Sequence, residues 1–350
     1  MKNKWQLFFL LLLISVPAVL FAADKLIFAV DVIRHGDRTP GQILPTVDYK
    51  WKEGLEQLTA RGMKQEYELG AKFRKRYVDE THLLPEHYQH GTIYVRSTDY
   101  ERTLMSAQSC MMGLYPPGTG PDAALPYAFQ AVPIFSAPYK YDEVISKYVD
   151  DAEEDKLMQR YVYSTPEWQQ KNKELQPQYA RWSRLIGIDI KSLEDLDDIG
   201  DTLYIYQINH APMPKGLSDE DIKTIIDTSN WVFLAEQTPT PVAVVYSTQI
   251  MTNIGNYLKN GSDDSSQLKY VLLSAHDDTI ISALSYIGVV LKVSPPFASD
   301  LNFSLYESGP NYYTVKVTYN DSLVFIPGCN GTVCELNQFL KLINDKHLWF

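Results

Sequence analysis

Charged and ionisable side chains follow three stretches of the sequence that have the character of buried strands. These stretches are largely apolar and β-branched, which is typical of strands in a parallel sheet, and they cover residues 25–33, 92–95 and 269–275. The side chains that follow them are Arg34, His35, Arg38, Arg96, His276 and Asp277. Because ligands of open α/β sheets bind outside the carboxyl ends of the strands, we expect these residues to meet in one crevice.

The chemistry that these residue types can perform is phosphoryl transfer. Guanidinium groups bind phosphate oxygens in bidentate fashion and stay charged at any working pH. The arginines and one histidine would neutralise the oxygens of a phosphoryl group, which is the main catalytic demand of its transfer. The second histidine can act as a nucleophile and form a phosphohistidine, and a carboxylic acid can protonate the leaving group. The sequence contains no serine-nucleophile elbow, Walker loop, dinucleotide-binding glycine motif or HExxH helix that would indicate another chemistry.

The elements that must position these residues indicate an α/β core with a helical insertion. Helical periodicity is present at three places, 58–77, 99–115 and 279–287. Residues 137–240 are polar, with several helical periods and no strong buried strand, and they predict a mainly helical cap domain inserted between the core segments 23–136 and 241–350. Three alternating stretches near the end of the chain predict antiparallel hairpins, namely 301–306, 312–319 and 322–326.

The composition excludes several classes of protein. The chain has 350 residues, of which 45% are hydrophobic and 21% charged, so it can bury a large core and is neither disordered nor collagen-like. Its formal net charge is −11, and it has no long basic block. This charge disfavours a nucleic acid or an anionic membrane as a partner of the surface as a whole. Any anion that the protein handles must therefore be bound by a local cluster of cations.

The first residues have the features of an export signal. Residues 1–22 contain lysines, an apolar run and small residues at the end, which predicts a cleaved signal peptide and a secreted or periplasmic protein. A retained membrane anchor is the alternative, but Pro17 interrupts the apolar run, and the uninterrupted part is too short to span a membrane comfortably. No association with a membrane is expected after cleavage.

Export also bears on the cysteines, because exported chains meet oxidising conditions. Cys329 and Cys334 lie in a turn-rich stretch and are predicted to form a disulfide. Cys110 falls in a helical pattern and is predicted to be a buried free thiol. Three loosely clustered histidines are assigned to a polar loop and not to a metal site, namely His82, His87 and His90. Neither a metal nor a cofactor is expected.

The first strand end carries the signature of a known family. Residues 34–40 read Arg-His-Gly-Asp-Arg-Thr-Pro and match the Arg-His-Gly-x-Arg-x-Pro signature of the histidine acid phosphatases. Residues 96–107 and 274–277 resemble the second phosphate-binding stretch and the C-terminal His-Asp pair of the prostatic and lysosomal branch. The chain looks like a secreted bacterial member of this family. The resemblance implies the phosphoglycerate mutase-like histidine phosphatase fold, in which a mixed, mostly parallel sheet is flanked by helices and carries a mainly helical cap.

The resemblance also implies a role for each of the residues at the strand ends. His35 would be the nucleophile that becomes phosphorylated, and Asp277 would be the proton donor. The phosphate ligands would be Arg34, Arg38, Arg96 and His276. The family usually has a threonine directly after the His-Asp pair, whereas this chain has Asp278. That second acid could raise the pKa of the donor, donate the proton itself, or simply cap a helix.

The implied activity is that of an acid phosphatase with broad specificity for phosphate monoesters of small molecules, phosphotyrosine compounds among them. A free imidazole titrates near pH ~6.5, and neighbouring guanidinium groups would keep His35 neutral to lower pH. The donor acid must instead be protonated, so we expect an acidic pH optimum. The family alone also suggests a homodimer.

Three other functions compete with this interpretation. A phytase of the same family would need additional cations around its cleft, and the acidic segment 137–240 offers few. A phosphotransferase or sugar-bisphosphate phosphatase of the phosphoglycerate mutase type resembles cytosolic enzymes that usually place a glutamate as the donor. A non-catalytic protein that binds phosphorylated ligands would need the arginines but neither a nucleophile nor an acid.

Overall fold

The computed structural model describes residues 24–122, 124–147 and 149–345, and the signal peptide predicted over 1–22 lies outside them. The strands are β1 (Lys25–Arg34), β2 (Ile93–Ser97), β3 (Tyr270–Ala275), β4 (Asp300–Gly309), β5 (Tyr312–Tyr319), β6 (Ser322–Leu323) and β7 (Val333–Glu335). The helices are α1 (Ala60–Arg74), α2 (Glu101–Leu114), α3 (Asp151–Met158), α4 (Pro166–Ile186), α5 (Leu193–Ile208), α6 (Asp219–Gln237), α7 (Thr240–Gly261), α8 (Asp277–Tyr286) and α9 (Leu336–Asn344).

The described strands form one mixed sheet in the order β2-β3-β1-β4-β5-β6, with β7 also paired to β5. Both β1 and β2 pair with β3 in parallel, whereas β4, β5, β6 and β7 are joined by antiparallel pairs. The predicted fold class is confirmed, and the hairpins predicted near the end of the chain are present. The parallel pairs are confined to the three strands whose ends carry the predicted site.

Strand β1 is buried on both faces, as its nearly continuous apolar sequence predicts. Successive side chains point to opposite faces, so Val30 and Val32 pack into a core with α7, α8 and α9, whereas Ala29 and Ile33 pack into a core with α1 and α2. Helices α1 and α2 approach so closely at Gly70 that a Cβ there would lie 1.9 Å from the carbonyl oxygen of Cys110. This packing fixes the end of β1 between two layers of helices.

Residues 137–240, called the cap segment below, contain helices α3 to α6 and no strand among the described residues. Their large side chains form a hydrophobic cluster around Trp168, Trp182 and Tyr206, to which residues outside the segment, such as Trp51 and Phe297, also contribute. Capping boxes at Ser192 and Ser218 fix where α5 and α6 begin. The mainly helical character agrees with the sequence, and the limits at 137 and 240 stay a prediction.

The cysteines are arranged as predicted, since Cys329 and Cys334 form a disulfide and Cys110 is a buried free thiol. His82 and His87 each place Nδ1 at 2.8 Å from a backbone carbonyl oxygen. Across the part of the chain that the structure describes, no three ligand-type side chains are placed to hold a metal ion. Nor does any described helix have both the length and the apolar character needed to cross a membrane.

Candidate active site

The ends of the three parallel strands meet at one edge of the sheet. Arg34 at the end of β1 lies opposite Ala275 of β3, and Ser97 at the end of β2 lies opposite Ser274. The backbone N–H of His35 then donates to the carbonyl oxygen of Ala275 at 3.2 Å. The crevice expected from the sequence is therefore present.

His35 is held with one ring nitrogen free for chemistry. Its side chain is buried, and Nδ1 lies 2.8 Å from the carbonyl oxygen of Gly36. A carbonyl can only accept, so Nδ1 carries the proton and Nε2 keeps its lone pair. The loop after β1 leaves no room for a side chain at Gly36, where a Cβ would lie 2.4 Å from the carbonyl oxygen of Gly62.

The surroundings of His35 keep its imidazole neutral. Burial lowers the pKa of His35 well below its ordinary value, and the positive charges of Arg34, Arg38 and Arg102, together with the neighbouring ionisable ring of His276, lower it further. The ring of His276 lies 5.5 Å from the ring of His35 between centroids. A neutral imidazole with a free Nε2 is the form that can attack phosphorus.

Arg34 connects the end of β1 to the start of α8. Its guanidinium lies 2.6 Å from Oδ2 of Asp277, donates to the carbonyl oxygen of Pro295, and stacks 4.2 Å from the ring centroid of Phe297. The side chain of Arg34 is 7% exposed and that of Asp277 is 20% exposed. The structure therefore brings the predicted donor acid directly beside one predicted phosphate ligand.

His276, the last residue before α8, faces the end of β2. Its Nε2 lies 3.0 Å from Oγ1 of Thr98, and its ring lies 5.2 Å from that of Tyr100. Burial lowers the pKa of His276 to about 4, although the negative charge of Asp278 opposes this effect. The imidazole is thus neutral above that pH and can share a hydrogen bond with the threonine hydroxyl.

Arg38 reaches the same region from the loop after β1 and contacts the cap segment. Its Nη2 donates to Oδ2 of Asp201 on α5 at 2.9 Å. Coulombic effects of Asp277 and Asp201 raise the pKa of Arg38, against the opposing effect of burial. The guanidinium is therefore charged and lies between the predicted donor and the cap.

Arg96 was expected to join this cluster, and here the structure corrects the sequence analysis. Arg96 lies inside β2, not beyond its end, and its Nη2 pairs with Oδ1 of Asp142 at 3.0 Å. The arginine that joins the cluster is Arg102, in the first turn of α2. Burial and the charge of Arg38 lower the pKa of Arg102, and its own charge lowers the pKa of both His35 and His276.

The sequence contains one signal that points to Arg102 as a residue of this site. Arg102 belongs to the turn of helix that begins just past the end of β2, and a helix starting after a parallel strand presents its first turn to the same edge of the sheet. Its guanidinium stacks 4.7 Å from the ring centroid of Tyr100. Its Nη1 lies 3.8 Å from Oε2 of Glu56.

The two consecutive acids at the start of α8 have different partners. Asp277 pairs with Arg34, whereas Oδ2 of Asp278 lies 3.0 Å from Nζ of Lys147 in the cap segment. Burial alone would raise the pKa of Asp278, but the charge and hydrogen bond of Lys147, together with neighbouring His276 and Thr279, outweigh it and hold that pKa below the ordinary value. Asp278 is thus an ionised, paired carboxylate, which favours Asp277 as the proton donor.

The chain is similar in sequence to known phosphatases. The sequence model described as Histidine phosphatase superfamily (branch 2) matches residues 25–196. The chain is 30% identical to lysosomal acid phosphatase of Xenopus laevis, over 95% of this chain and 79% of the relative. It is 28% identical to human prostatic acid phosphatase, over 92% of this chain and 85% of the relative.

Among solved structures, a Hafnia alvei phytase in complex with myo-inositol hexakis sulphate is similar in fold. The TM-score is 0.70 at 16% sequence identity, over 93% of this chain and 98% of the phytase. A phytase of Klebsiella sp ASR1 gives a TM-score of 0.69 at 17% identity, over 93% of this chain and 96% of that one. The site, the sequence relatives and the shared fold together place the chain in the histidine phosphatase superfamily, to whose branch 2 it belongs.

Proposed function

We propose that this protein is an acid phosphatase that hydrolyses small phosphate monoesters through a phosphohistidine on Nε2 of His35. The observation that carries the proposal is the 2.8 Å contact between Nδ1 of His35 and the carbonyl oxygen of Gly36. That contact fixes the tautomer in which Nε2 is unprotonated. The burial of the ring among arginines keeps it so in acid.

The residues of the cluster can carry out the reaction in two steps. The phosphate group is bound by Arg34, Arg38, Arg102 and His276. Arg102 takes the role of phosphate ligand that the sequence suggested for Arg96. Nε2 of His35 attacks phosphorus, the bond between phosphorus and the ester oxygen breaks, and Asp277 gives its proton to the leaving oxygen. Water then attacks the phosphohistidine, Asp277 takes up a proton from it, and inorganic phosphate is released.

A bound substrate changes the charge around the proposed donor, Asp277. In the free protein Oδ2 of Asp277 is paired with Arg34 at 2.6 Å. A bound phosphate competes for the same guanidinium and places negative charge beside the carboxyl group, and both effects favour its protonated form. Because the donor must be protonated and the nucleophile stays neutral in acid, we expect kcat/KM to be highest at acidic pH and to fall as the pH rises.

Hydrolysis of small, singly phosphorylated esters is favoured over a phytase function by the carboxylates around the cluster. Asp201 contacts Arg38 at 2.9 Å, and Glu56 lies 3.8 Å from Arg102. Negative side chains at these positions disfavour a leaving group that itself carries several phosphates. A purely binding function would use the arginines but would need neither a free Nε2 on His35 nor an acid beside Arg34.

Two further parts of the proposal concern where the protein acts and on what. An exported location, secreted or periplasmic, is supported by the charge and apolar pattern of residues 1–22 and by the disulfide between Cys329 and Cys334. Tyr100 beside His276 provides an aromatic surface next to the cluster, which supports substrates with aromatic leaving groups, phosphotyrosine compounds included. A homodimer stays a prediction from the family.

The direct test is to trap the phosphoenzyme. Wild type mixed with 32P-labelled phosphotyrosine and quenched within milliseconds should yield acid-labile, alkali-stable protein-bound phosphate, and His35→Ala should yield none. A wild type without bound phosphate, or a His35→Ala variant that retains it, would refute the assignment. A panel of kcat/KM values from pH 4 to 7 with phosphotyrosine, nucleotide, sugar and inositol phosphates then ranks the substrate classes.

A further inference from the structure

A cavity of about 250 Å³ adjoins the phosphate-binding cluster. His276 and Arg102 line it on the side of the cluster, and Tyr139, Lys147 and Asp278 complete its wall. The acid that follows the catalytic pair is therefore exposed to the same cavity as two proposed phosphate ligands. Whatever balances its charge will affect how strongly this region attracts an anion.

Lys147 and Asp278 form a close and largely buried ion pair in that wall. Nζ of Lys147 lies 3.0 Å from Oδ2 of Asp278, and the two side chains are 22% and 20% exposed. The ammonium group also lies 4.3 Å from the ring centroid of Tyr246 on α7. A pair removed from solvent to this degree leaves an uncompensated charge when either partner is lost.

The loop that delivers Lys147 is anchored to the sheet. Oδ1 of Asp142 accepts hydrogen bonds from the backbone N–H groups of Val144 and Ile145 at 2.8 and 3.2 Å. The same oxygen pairs with Nη2 of Arg96 at 3.0 Å. Arg96 thus lies outside the phosphate cluster but fixes the turn from which Lys147 reaches Asp278.

Several charged and titratable groups face this pair. Asp278 is faced by Lys147, His276, Tyr139 and Tyr246. The groups that face Lys147 are Asp278, His276, Tyr139, Tyr246, Glu154 and Glu236. His276 is faced by Asp277, Asp278, Arg102, Lys147 and His35. Asp278 and Lys147 act on His276 in opposite directions, because the carboxylate favours the protonated imidazolium and the ammonium disfavours it.

We propose that Lys147 is a positioning residue of this active site, whose ammonium neutralises Asp278. The ammonium then offsets the repulsion between this carboxylate and a bound phosphate, and it reduces the tendency of the carboxylate to favour the imidazolium form of His276. This inference rests on the proposed phosphatase function. It explains how the chain carries a second acid directly after the catalytic pair without losing a site for anions.

The first test replaces the cation by an apolar side chain of similar length, Lys147→Met. At pH 6 to 7 the unpaired carboxylate of Asp278 is ionised, so kcat/KM for p-nitrophenyl phosphate should fall about ten-fold and Ki for inorganic phosphate should rise about ten-fold. Without Lys147, burial raises the pKa of Asp278, and the group becomes neutral in acid. The loss at pH 4 should therefore be less than about three-fold.

The second test changes the acid. Lys147→Met combined with Asp278→Asn should restore kcat/KM at pH 6 to within about three-fold of wild type, because no unpaired charge remains. Asp278→Asn alone removes the carboxylate that pairs with the ammonium at 3.0 Å, so Ki for inorganic phosphate should fall several-fold. This change is opposite in sign to that of Lys147→Met, and it can be measured even if Lys147→Met does not fold.

Lys316 provides a matched control. Its Nζ lies 2.8 Å from Oδ2 of Asp24 and 4.3 Å from the ring centroid of Tyr306, and its side chain is 24% exposed, but it lies on β5 and does not line the cavity. Lys316→Met should leave Ki and its pH dependence unchanged. A loss in Lys147→Met that is equal at all pH values, a double variant without rescue, or a higher Ki in Asp278→Asn would overturn the inference.

The proposed phosphatase function and the inference about Lys147 can be refuted separately. If wild type forms no phosphoenzyme on His35, the proposed function is wrong. The inference about Lys147 is then judged only by how the Lys147 variants change the affinity for inorganic phosphate. If wild type forms the phosphoenzyme and the affinity for inorganic phosphate does not respond to the charges at 147 and 278, only the inference about Lys147 is wrong.

Discussion

The carboxyl ends of β1 to β3 and the cap segment both contribute side chains to the active site, and the two sets differ in kind. The strand ends supply Arg34, His35 and His276, which are the groups proposed to bind and attack phosphorus. The cap segment supplies counter-charges, with Asp201 on Arg38 and Lys147 on Asp278. The sheet thus positions the reactive groups, whereas the cap segment supplies the charges that balance Arg38 and Asp278.

This difference predicts that substitutions at the strand ends abolish the reaction, whereas those in the cap segment adjust its selectivity. The residues of the first set act on the phosphate itself. Those of the second act through a neighbour, by fixing its position or its charge.

Removal of the nucleophile should have the largest effect. His35→Ala should lower kcat/KM for p-nitrophenyl phosphate by at least ~10⁴-fold, because no other group in the cluster can form the covalent intermediate. The melting temperature should stay close to that of wild type or fall slightly, since the ring is uncharged and its removal leaves a cavity but no unpaired charge. Residual turnover above a hundredth of wild type would contradict the role of His35.

Removal of the donor should come next and should depend on the leaving group. Asp277→Asn should lower kcat about 1,000-fold for an alkyl phosphate, whose alkoxide needs a proton, and far less for p-nitrophenyl phosphate. Asp278→Asn is the matched control, because it makes the same chemical change one residue away, and its kcat should stay within about five-fold of wild type. The reverse order of the two variants would make Asp278 the donor.

The two arginines near β2 separate binding of phosphate from support of the fold. Arg102→Ala should lower kcat/KM about 100-fold, because a charge-assisted contact with phosphate is lost. Arg96→Ala should instead lower the free energy of unfolding by about 3 kcal/mol, since the nearly inaccessible carboxylate of Asp142 would be left unpaired. Its kcat/KM, measured where the variant is folded, should stay within ten-fold of wild type.

Arg96 and Arg102 also show how much of the site could be predicted from the sequence. The strand ends could be predicted because each follows a continuous apolar stretch, and parallel strands bring such ends together. The roles of His35 and of the His-Asp pair are implied by the resemblance to the family and stay predictions. The structure places Arg96 within β2 and beside Asp142, so the alternation of side chains along the strand decides which way it points. The limits of β2 could not be predicted to within one residue from the sequence.

The cap contacts could not be predicted for another reason. The pairs Arg38–Asp201 and Lys147–Asp278 join residues that are more than a hundred positions apart in the sequence. Polar segments with helical periodicity show that helices form, but not which of their many acids turns toward the site. The excess of acids in the cap segment was visible, whereas the pairing of Asp201 with a phosphate-binding arginine required the fold.

The smallest effect is expected from the cap, where Asp201→Asn removes the negative charge beside Arg38. Substrates whose leaving group carries another phosphate should gain about three- to ten-fold in kcat/KM, because a repulsive charge at the rim is lost. The gain for p-nitrophenyl phosphate should be below about two-fold, since its leaving group is neutral before the reaction.

The control for this variant makes the same change of charge elsewhere in the cap segment. Asp219 lies in the first turn of α6, and Asp219→Asn should leave the ratio of the two kcat/KM values unaltered. If Asp201→Asn raised both values equally, Asp201 would only restrain Arg38, and the carboxylate would not select among leaving groups. A change in the ratio confined to Asp201→Asn would show that the cap sets which phosphate esters the strand-end residues can reach.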